Sequence, residues 1–221
     1  MPSSASELPR LSPFRLLFLR AFARPLAQLL TGADVHGREH LPLRGPAILA
    51  ANHNSHLDTF LLLSIFPARA VTRVRPVAAA DYFLASPARS WFSRRLIGIT
   101  PIDRRAKPGT DVLAPAMAAL ARGDILIVFP EGTRGEADEL GSLKTGVAKL
   151  AAAFPEAPIT PVWIQGAGRV LPKGARMPVP MNCCVCVGPA VRWTGDRTRF
   201  MGELKDGLAA LQASAPPLRW A

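Results

Sequence analysis

The chain has 221 residues, 49% of them hydrophobic and 19% charged, and Lys plus Arg outnumber Asp plus Glu by 27 to 16, for a formal charge of +11. That length suits one domain, able to bury roughly 70% of its unfolded surface without disulfides or metal, and the apolar composition excludes an intrinsically disordered chain. So basic a surface attracts polyanions (nucleic acid, anionic lipid headgroups or phosphorylated small molecules), and composition alone does not choose among them.

Residues 13–31 read PFRLLFLRAFARPLAQLLT. The longest uninterrupted apolar run, Leu16 to Leu19, is far short of the roughly 20 residues that span a bilayer. Arg15, Arg20 and Arg24 interrupt the rest, which also argues against a cleavable signal peptide. On a helix, Arg20, Arg24 and Gln28 form one polar stripe and leave most of the surface apolar. Pro25 predicts a break near Arg24, and so two short helices. Such a segment either caps the core or lies in a membrane interface with its arginines on anionic lipid; the second reading is preferred.

Beyond it, short apolar runs alternate with helical patterns. Ala47–Ala51 reads as a buried strand, Leu57–Ile65 as a helix ended by Pro67, and Val71–Val77 as a half-exposed strand whose Pro76 points to an edge or an end. Tyr82–Leu96 reads as helical around Pro87, and Val112–Arg122 as a helix with a Thr110 cap that stops at Gly123. Ile125–Phe129 is the clearest buried strand. Thr145–Ala153 is helical, Ile159–Ile164 and Cys184–Val187 are strands, and Arg199–Ala213 is a final amphipathic helix capped by Thr198. The alternation predicts an α/β domain, a mixed central sheet with helices on both faces, preceded by the amphipathic helical segment. The division expected is 1–31 for membrane-surface helices and 32–221 for the main domain, with loosely ordered ends over Met1–Pro13 and Ser214–Ala221. The cysteines Cys183, Cys184 and Cys186 suggest a buried strand in a reducing compartment; no disulfide framework or metal site is read from them.

Three loops carry candidate chemistry. In ANHNSHLD (Ala51–Asp58), His53 and Asp58 are five residues apart; on one continuous helix they would differ by about 140° in azimuth and could not meet. If the helix begins at Asn54 or Ser55, His53 lies outside it and Asp58 reaches back to the imidazole, fixing its tautomer and freeing the other nitrogen for a substrate proton. Taken alone, so short a pattern reads more readily as a plain polar capping loop. In VFPEGTRG (Val128–Gly135), Glu131, Gly132, Thr133 and Arg134 offer a guanidinium fork and flexible backbone suited to phosphate, or simply a turn; Lys144 and Gly146 continue the theme. In GITPIDRR (Gly98–Arg105), Arg104 and Arg105 form either a solvated basic face or a phosphate clamp.

Taken together these blocks resemble the glycerolipid acyltransferases, the group containing 1-acylglycerol-3-phosphate acyltransferase. NHNSHLD is similar to the family's NHxSxxD block, FPEGTRG to FPEGTRS with Gly135 where Ser is common, GITPIDR to the block ending in a phosphate-binding arginine (here Arg104), and ITPVWI to its apolar fourth block. Thr100 and Pro101 replace the usual aliphatics. The resemblance implies transfer of a fatty acyl group from acyl-CoA or acyl-carrier protein to the hydroxyl of a lysophospholipid, above all 1-acyl-glycerol-3-phosphate. It assigns His53 as general base, Asp58 as its support, and Arg104, Glu131, Gly132, Thr133 and Arg134 to the acceptor headgroup. It implies no metal and no cofactor, and a peripheral or monotopic place on the cytoplasmic face of a membrane with anionic lipid. Other acceptors (a lyso-ornithine lipid, lysophosphatidylethanolamine) and a non-catalytic lipid-binding protein are the alternatives. Nucleic acid is disfavoured, because aromatics are 7% of residues and Tyr82 is the only tyrosine to interleave with the basic ones.

Overall fold

The computed structural model describes residues 13–83, 86–103, 106–107, 109–172, 175 and 177–218; most of the Met1–Pro13 segment therefore lies outside the described residues. The chain begins with α1 (Pro13–Phe18), a wider π-turn over Leu19–Ala23, and α2 (Arg24–Thr31). The two short helices expected are present, joined by the π-turn rather than by a non-helical break. Phe18 and Ala23, at the two junctions, keep right-handed helical dihedrals. Proline's ring crowds the carbonyl four residues back, and the π-turn, closed by the Arg24 N–H on the Leu19 carbonyl, absorbs an extra residue there. The rod runs on to Gly32, whose φ of 46° ends it.

Arg15, Leu19, Ala23, Ala27 and Thr31 form the buried face of this rod, while Phe14, Leu17, Phe22, Leu26 and Leu29 are exposed. Leu19 and Ala23 join the main core cluster, so the core-capping reading holds for one face. Arg15 does not present its charge to solvent. It is 4% exposed and donates to five carbonyls, those of Leu96 (3.3 Å), Val71 (3.2 Å) and Thr72, Val74 and Ile97 (2.8 Å each). Burial, reinforced by the neighbouring Arg75 charge, pushes its pKa down to about 9.

The remaining elements, in chain order, are β1 (Asp34–His36), β2 (Ala47–Ala51), α3 (Leu57–Ile65), α4 (Ala68–Val71), β3 (Val74–Ala79), α5 (Ala80–Phe83), α6 (Pro87–Phe92), a second π-turn (Ser93–Ile97), β4 (Thr100–Ile102), α7 (Ala114–Ala121), β5 (Ile125–Val128), α8 (Gly146–Ala153), β6 (Ile159–Gln165), α9 (Ala167–Val170), β7 (Cys184–Val187) and α10 (Arg197–Ser214). The described strands form one seven-stranded sheet in the order β1-β7-β6-β2-β5-β3-β4. Every pairing is parallel except β6 with β7. β2 is central and wholly buried. Its Ala47, Leu49 and Ala51 face the cluster shared with α3 and the N-terminal rod, while Ile48 and Ala50 face α7, α8 and α10. That is the three-layer arrangement expected.

Several local expectations are corrected. Val71 closes α4, and the strand starts at Val74. It is an interior strand: Pro76 ends the ladder with β5 just before the ladder with β4 begins, so the absent N–H falls where the strand changes partner. Arg75 is buried beside Asp124 at 3.6 Å, so the strand is not half-exposed. The turn before α7 uses Asp111, whose side chain accepts the Leu113 N–H at 3.0 Å, and α10 is capped by Asp196, which accepts from Arg199 N at 2.8 Å. Leu218, near the end expected to be loose, is buried. The short strands β1 and β4 carry too few residues to show a period and were not anticipated.

Candidate active site

β2 and β5 lie side by side and parallel, Ala50 opposite Val128, so both candidate loops leave the same carboxyl edge of the sheet, where open α/β sheets place ligands. α3 begins at Leu57, and the Ser55 hydroxyl accepts the Leu57 N–H at 3.2 Å. His53 is therefore outside the helix and Asp58 in its first turn, as the spacing argument required. His53 Nδ1 lies 2.9 Å from Asp58 Oδ2. The same oxygen accepts the N–H groups of Asn54 (2.7 Å) and Ser55 (2.8 Å). An oxygen that already accepts two backbone N–H groups acts as an acceptor toward the ring as well, so Nδ1 carries the ring proton and Nε2 offers its lone pair. Asp58 is fully buried, whereas the His53 side chain keeps 20% of its surface accessible.

The imidazole is held from several sides. Phe129 stacks on it with centroids 4.1 Å apart and planes 19° from parallel. Glu131 Oε1 accepts the His53 N–H at 3.1 Å, and the His53 carbonyl accepts the Gly135 N–H at 2.8 Å. Asn52 grips β6 by donating to the Ile164 carbonyl at 2.8 Å and accepting the Ile164 N–H at 2.7 Å, and it donates to Asn54 Oδ1 at 2.6 Å. Asn54 in turn donates to the Glu136 carbonyl. Sequence reasoning passed over Asn52 and Phe129 and took Asn54 only as a candidate helix start; the available signal was a run of amides directly after a fully buried strand, where polar groups need partners.

Glu131 departs from its expected place. It is 6% exposed, and its carboxylate is taken up by the backbone of His53 and Gly141 rather than by an arginine or the open surface. Burial pushes its pKa up, against the pull of those two backbone N–H groups. Built Cβ atoms at Gly135 and Gly141 would come within 3.0 and 2.8 Å of Oε2, so both glycines permit that close approach. Gly132 has φ of 75°, and the end of the Lys144 side chain crosses its open face: a Cβ there would meet Nζ at 2.9 Å. Thr133 is exposed and Arg134 half-buried. Arg134 lies close enough to His56 for its charge to lower the His56 pKa, second to burial among the causes. β4 ends at Ile102 on the same carboxyl edge; Arg104 and Arg105 follow outside the described residues. Among the described residues, no group of three or more His, Cys, Asp or Glu side chains is arranged to hold a metal, and no helix is long and apolar enough to cross a membrane.

The sequence profile of the Acyltransferase family matches residues 32–165, a span that contains both motif loops. The chain belongs to this family. It is 30% identical over 176 residues to a chloroplastic 1-acyl-sn-glycerol-3-phosphate acyltransferase of Arabidopsis thaliana, covering 74% of this chain and 47% of that protein. It is 29% identical over 189 residues to the 1-acyl-sn-glycerol-3-phosphate acyltransferase of Pseudomonas aeruginosa, covering 83% and 69%. The chain thus spans about half the length of the plant relatives it matches. The crystal structure of the 1-acyl-sn-glycerophosphate acyltransferase from Thermotoga maritima superposes with a TM-score of 0.67 at 25% identity, over 90% of this chain and 80% of that one.

Proposed function

We propose that the protein transfers a fatty acyl group from a thioester, acyl-CoA or acyl-carrier protein, to the free hydroxyl of a lysophospholipid, with 1-acyl-glycerol-3-phosphate as acceptor and phosphatidic acid as product. The observation that carries this reading is the 2.9 Å contact of His53 Nδ1 with the buried Asp58 carboxylate in a loop at the sheet's carboxyl edge. In this mechanism Nε2 takes the proton of the acceptor hydroxyl as its oxygen attacks the thioester carbonyl. Asp58 stabilises the resulting imidazolium, which then protonates the departing thiolate as the tetrahedral intermediate collapses. No covalent enzyme intermediate, metal or organic cofactor takes part.

Arg134 and Lys144, on the loop beside His53, bind the acceptor phosphate together with Arg104, with Gly132 admitting the headgroup and Thr133 at its rim. Glu131 acts as a positioning residue that braces the His53 backbone. The rod's exposed Phe14, Leu17, Phe22, Leu26 and Leu29, beside the exposed Arg20 and Arg24, rest on anionic lipid, peripheral to the cytoplasmic face, while residues 32–221 form the catalytic domain. Free-thiol release from an acyl thioester, measured against a panel of lysolipids, tests the proposal. It expects release that depends on 1-acyl-glycerol-3-phosphate; release driven equally by a phosphate-free lysolipid would remove the headgroup assignment, and no acceptor-dependent release at all would remove the activity.

A further inference from the structure

The cysteines take no part in this chemistry, yet two of them are arranged as a reactive pair. Cys184 and Cys186 are alternate residues of β7, so they share a face, and their Sγ atoms are 3.4 Å apart. In the register with the edge strand β1, Asp34 is opposite Cys184 and His36 opposite Cys186, which puts a carboxylate, an imidazole and two thiols on one face. Cys186, His36, Leu211, Ser214 and Pro216 line a cavity of about 330 Å³ between that edge and the end of α10, and the His36 side chain at its rim is 49% exposed. Both thiols are buried, Cys184 at 2% and Cys186 at 5% exposure, and of the two Cys186 alone lines the cavity. Cys183 points to the opposite face, into the core cluster under the N-terminal rod.

We propose that Cys184 and Cys186 form a reversible, peroxide-sensitive dithiol in which Cys186 is the attacking thiol and Cys184 the resolving one. The thiolate of Cys186 attacks a hydroperoxide entering the cavity. The O–O bond breaks, Cys186 becomes a sulfenic acid, and the departing oxygen takes a proton to leave as an alcohol or water. The Cys184 sulfur then attacks the sulfenyl sulfur, the S–S bond forms as S–O breaks, and water leaves with the Cys184 proton. Two thiols are oxidised by two electrons, and one hydroperoxide is reduced.

The Cys184–Cys186 hydrogen bond lowers the Cys186 pKa, against burial and the Asp34 charge, and raises that of Cys184, while burial pushes Cys183 up to about 12. Alternate residues of a strand are about 6.6–6.8 Å apart at Cα, the upper end of the range that disulfides bridge. The bond is therefore strained and easily reduced, the property of labile rather than structural disulfides.

The test treats the 221-residue chain with hydrogen peroxide, denatures it, alkylates the remaining thiols and locates them by fragmentation mass spectrometry. Alkylation of Cys183 alone is expected, with all three cysteines recovered after a mild thiol reductant, and Cys186 is expected to be oxidised on the order of tenfold faster than Cys183. Cys184→Ser should leave a sulfenic acid at Cys186 that dimedone traps, and Cys186→Ser should give neither product. Three alkylatable cysteines after peroxide, a bond involving Cys183, or equal oxidation rates at Cys183 and Cys186 would each overturn the proposal. The wild-type measurement decides this even if a variant folds poorly.

Discussion

Replacing Asp58 by Asn tests the architecture of the site and its chemistry together. In the wild type one carboxylate oxygen accepts from His53 Nδ1 at 2.9 Å and from the N–H groups of Asn54 and Ser55 at 2.7 and 2.8 Å. Hydrogen bonds to a charged partner contribute about 1.5–3 kcal/mol each and neutral ones about 0.5–1.5, so neutralising the shared acceptor costs about 1 kcal/mol per bond and about 3 kcal/mol in all. The accepting Asp58 carboxylate is fully buried, so solvent screens these bonds little. For a chain of this size that is a fall in Tm of roughly 6–12 °C. The amide can also turn its NH₂ toward Nδ1, which moves the ring proton to Nε2 and removes the base; the same change in a Ser-His-Asp site costs about 10⁴-fold in kcat. Asp58→Asn should therefore lower both, read by thermal unfolding and by initial rates below the variant's own transition. A Tm within about 1 °C of wild type would refute the energetic argument, and unchanged kcat would refute the tautomer argument.

Glu131→Gln keeps an acceptor for the His53 N–H and removes a carboxyl whose pKa burial raises above its usual 4.5. Because the folded value is the higher one, the wild type loses stability as pH rises through that window. The Tm of Glu131→Gln relative to wild type should therefore climb from pH 4 upward, whereas a constant or falling difference contradicts the burial argument. Arg134→Ala should raise the His56 pKa toward 6.5, followed by NMR titration, because one of the charges lowering it is gone; an unmoved His56 would separate the two residues. The same variant should raise KM for a phosphate-bearing acceptor roughly ten- to hundredfold and leave KM for the thioester nearly unchanged, and equal losses would place Arg134 at the donor's phosphates instead. Arg15→Ala removes the partner of five buried carbonyls and should cost about 3–5 kcal/mol in a denaturant titration. Deletion of residues 1–31, which removes Arg15 and the rod's buried face, should then expose core and fail to give a soluble fold, and a stable truncated domain would show that these contacts are dispensable.

The central strands were legible because burial on both faces leaves a continuous apolar run, as in Ala47–Ala51 and Ile125–Val128. The His53–Asp58 contact followed from helix geometry plus a capping residue, both local rules. Less legible were features fixed by distant partners. Arg15 reads as one more surface arginine until carbonyls from two remote segments are seen to converge on it. Glu131 reads as a headgroup ligand until the fold brings it under the His53 backbone. Pro76 suggests an edge, because sequence does not show that a strand can change partner at one residue. Both π-turns escaped periodicity, since one inserted residue shifts the helical phase by little more than a quarter turn.

The proposed chemistry turns on His53 as the base. The decisive measurement is the initial rate of thiol release dependent on 1-acyl-glycerol-3-phosphate, for folded His53→Ala against wild type at matched concentration and lipid composition. Nε2 chemistry predicts a fall of roughly 10²–10⁴-fold in protein still folded at the assay temperature, while His56→Ala, in the same loop, keeps most of the rate. A folded His53→Ala protein working at close to the wild-type rate would contradict the mechanism outright.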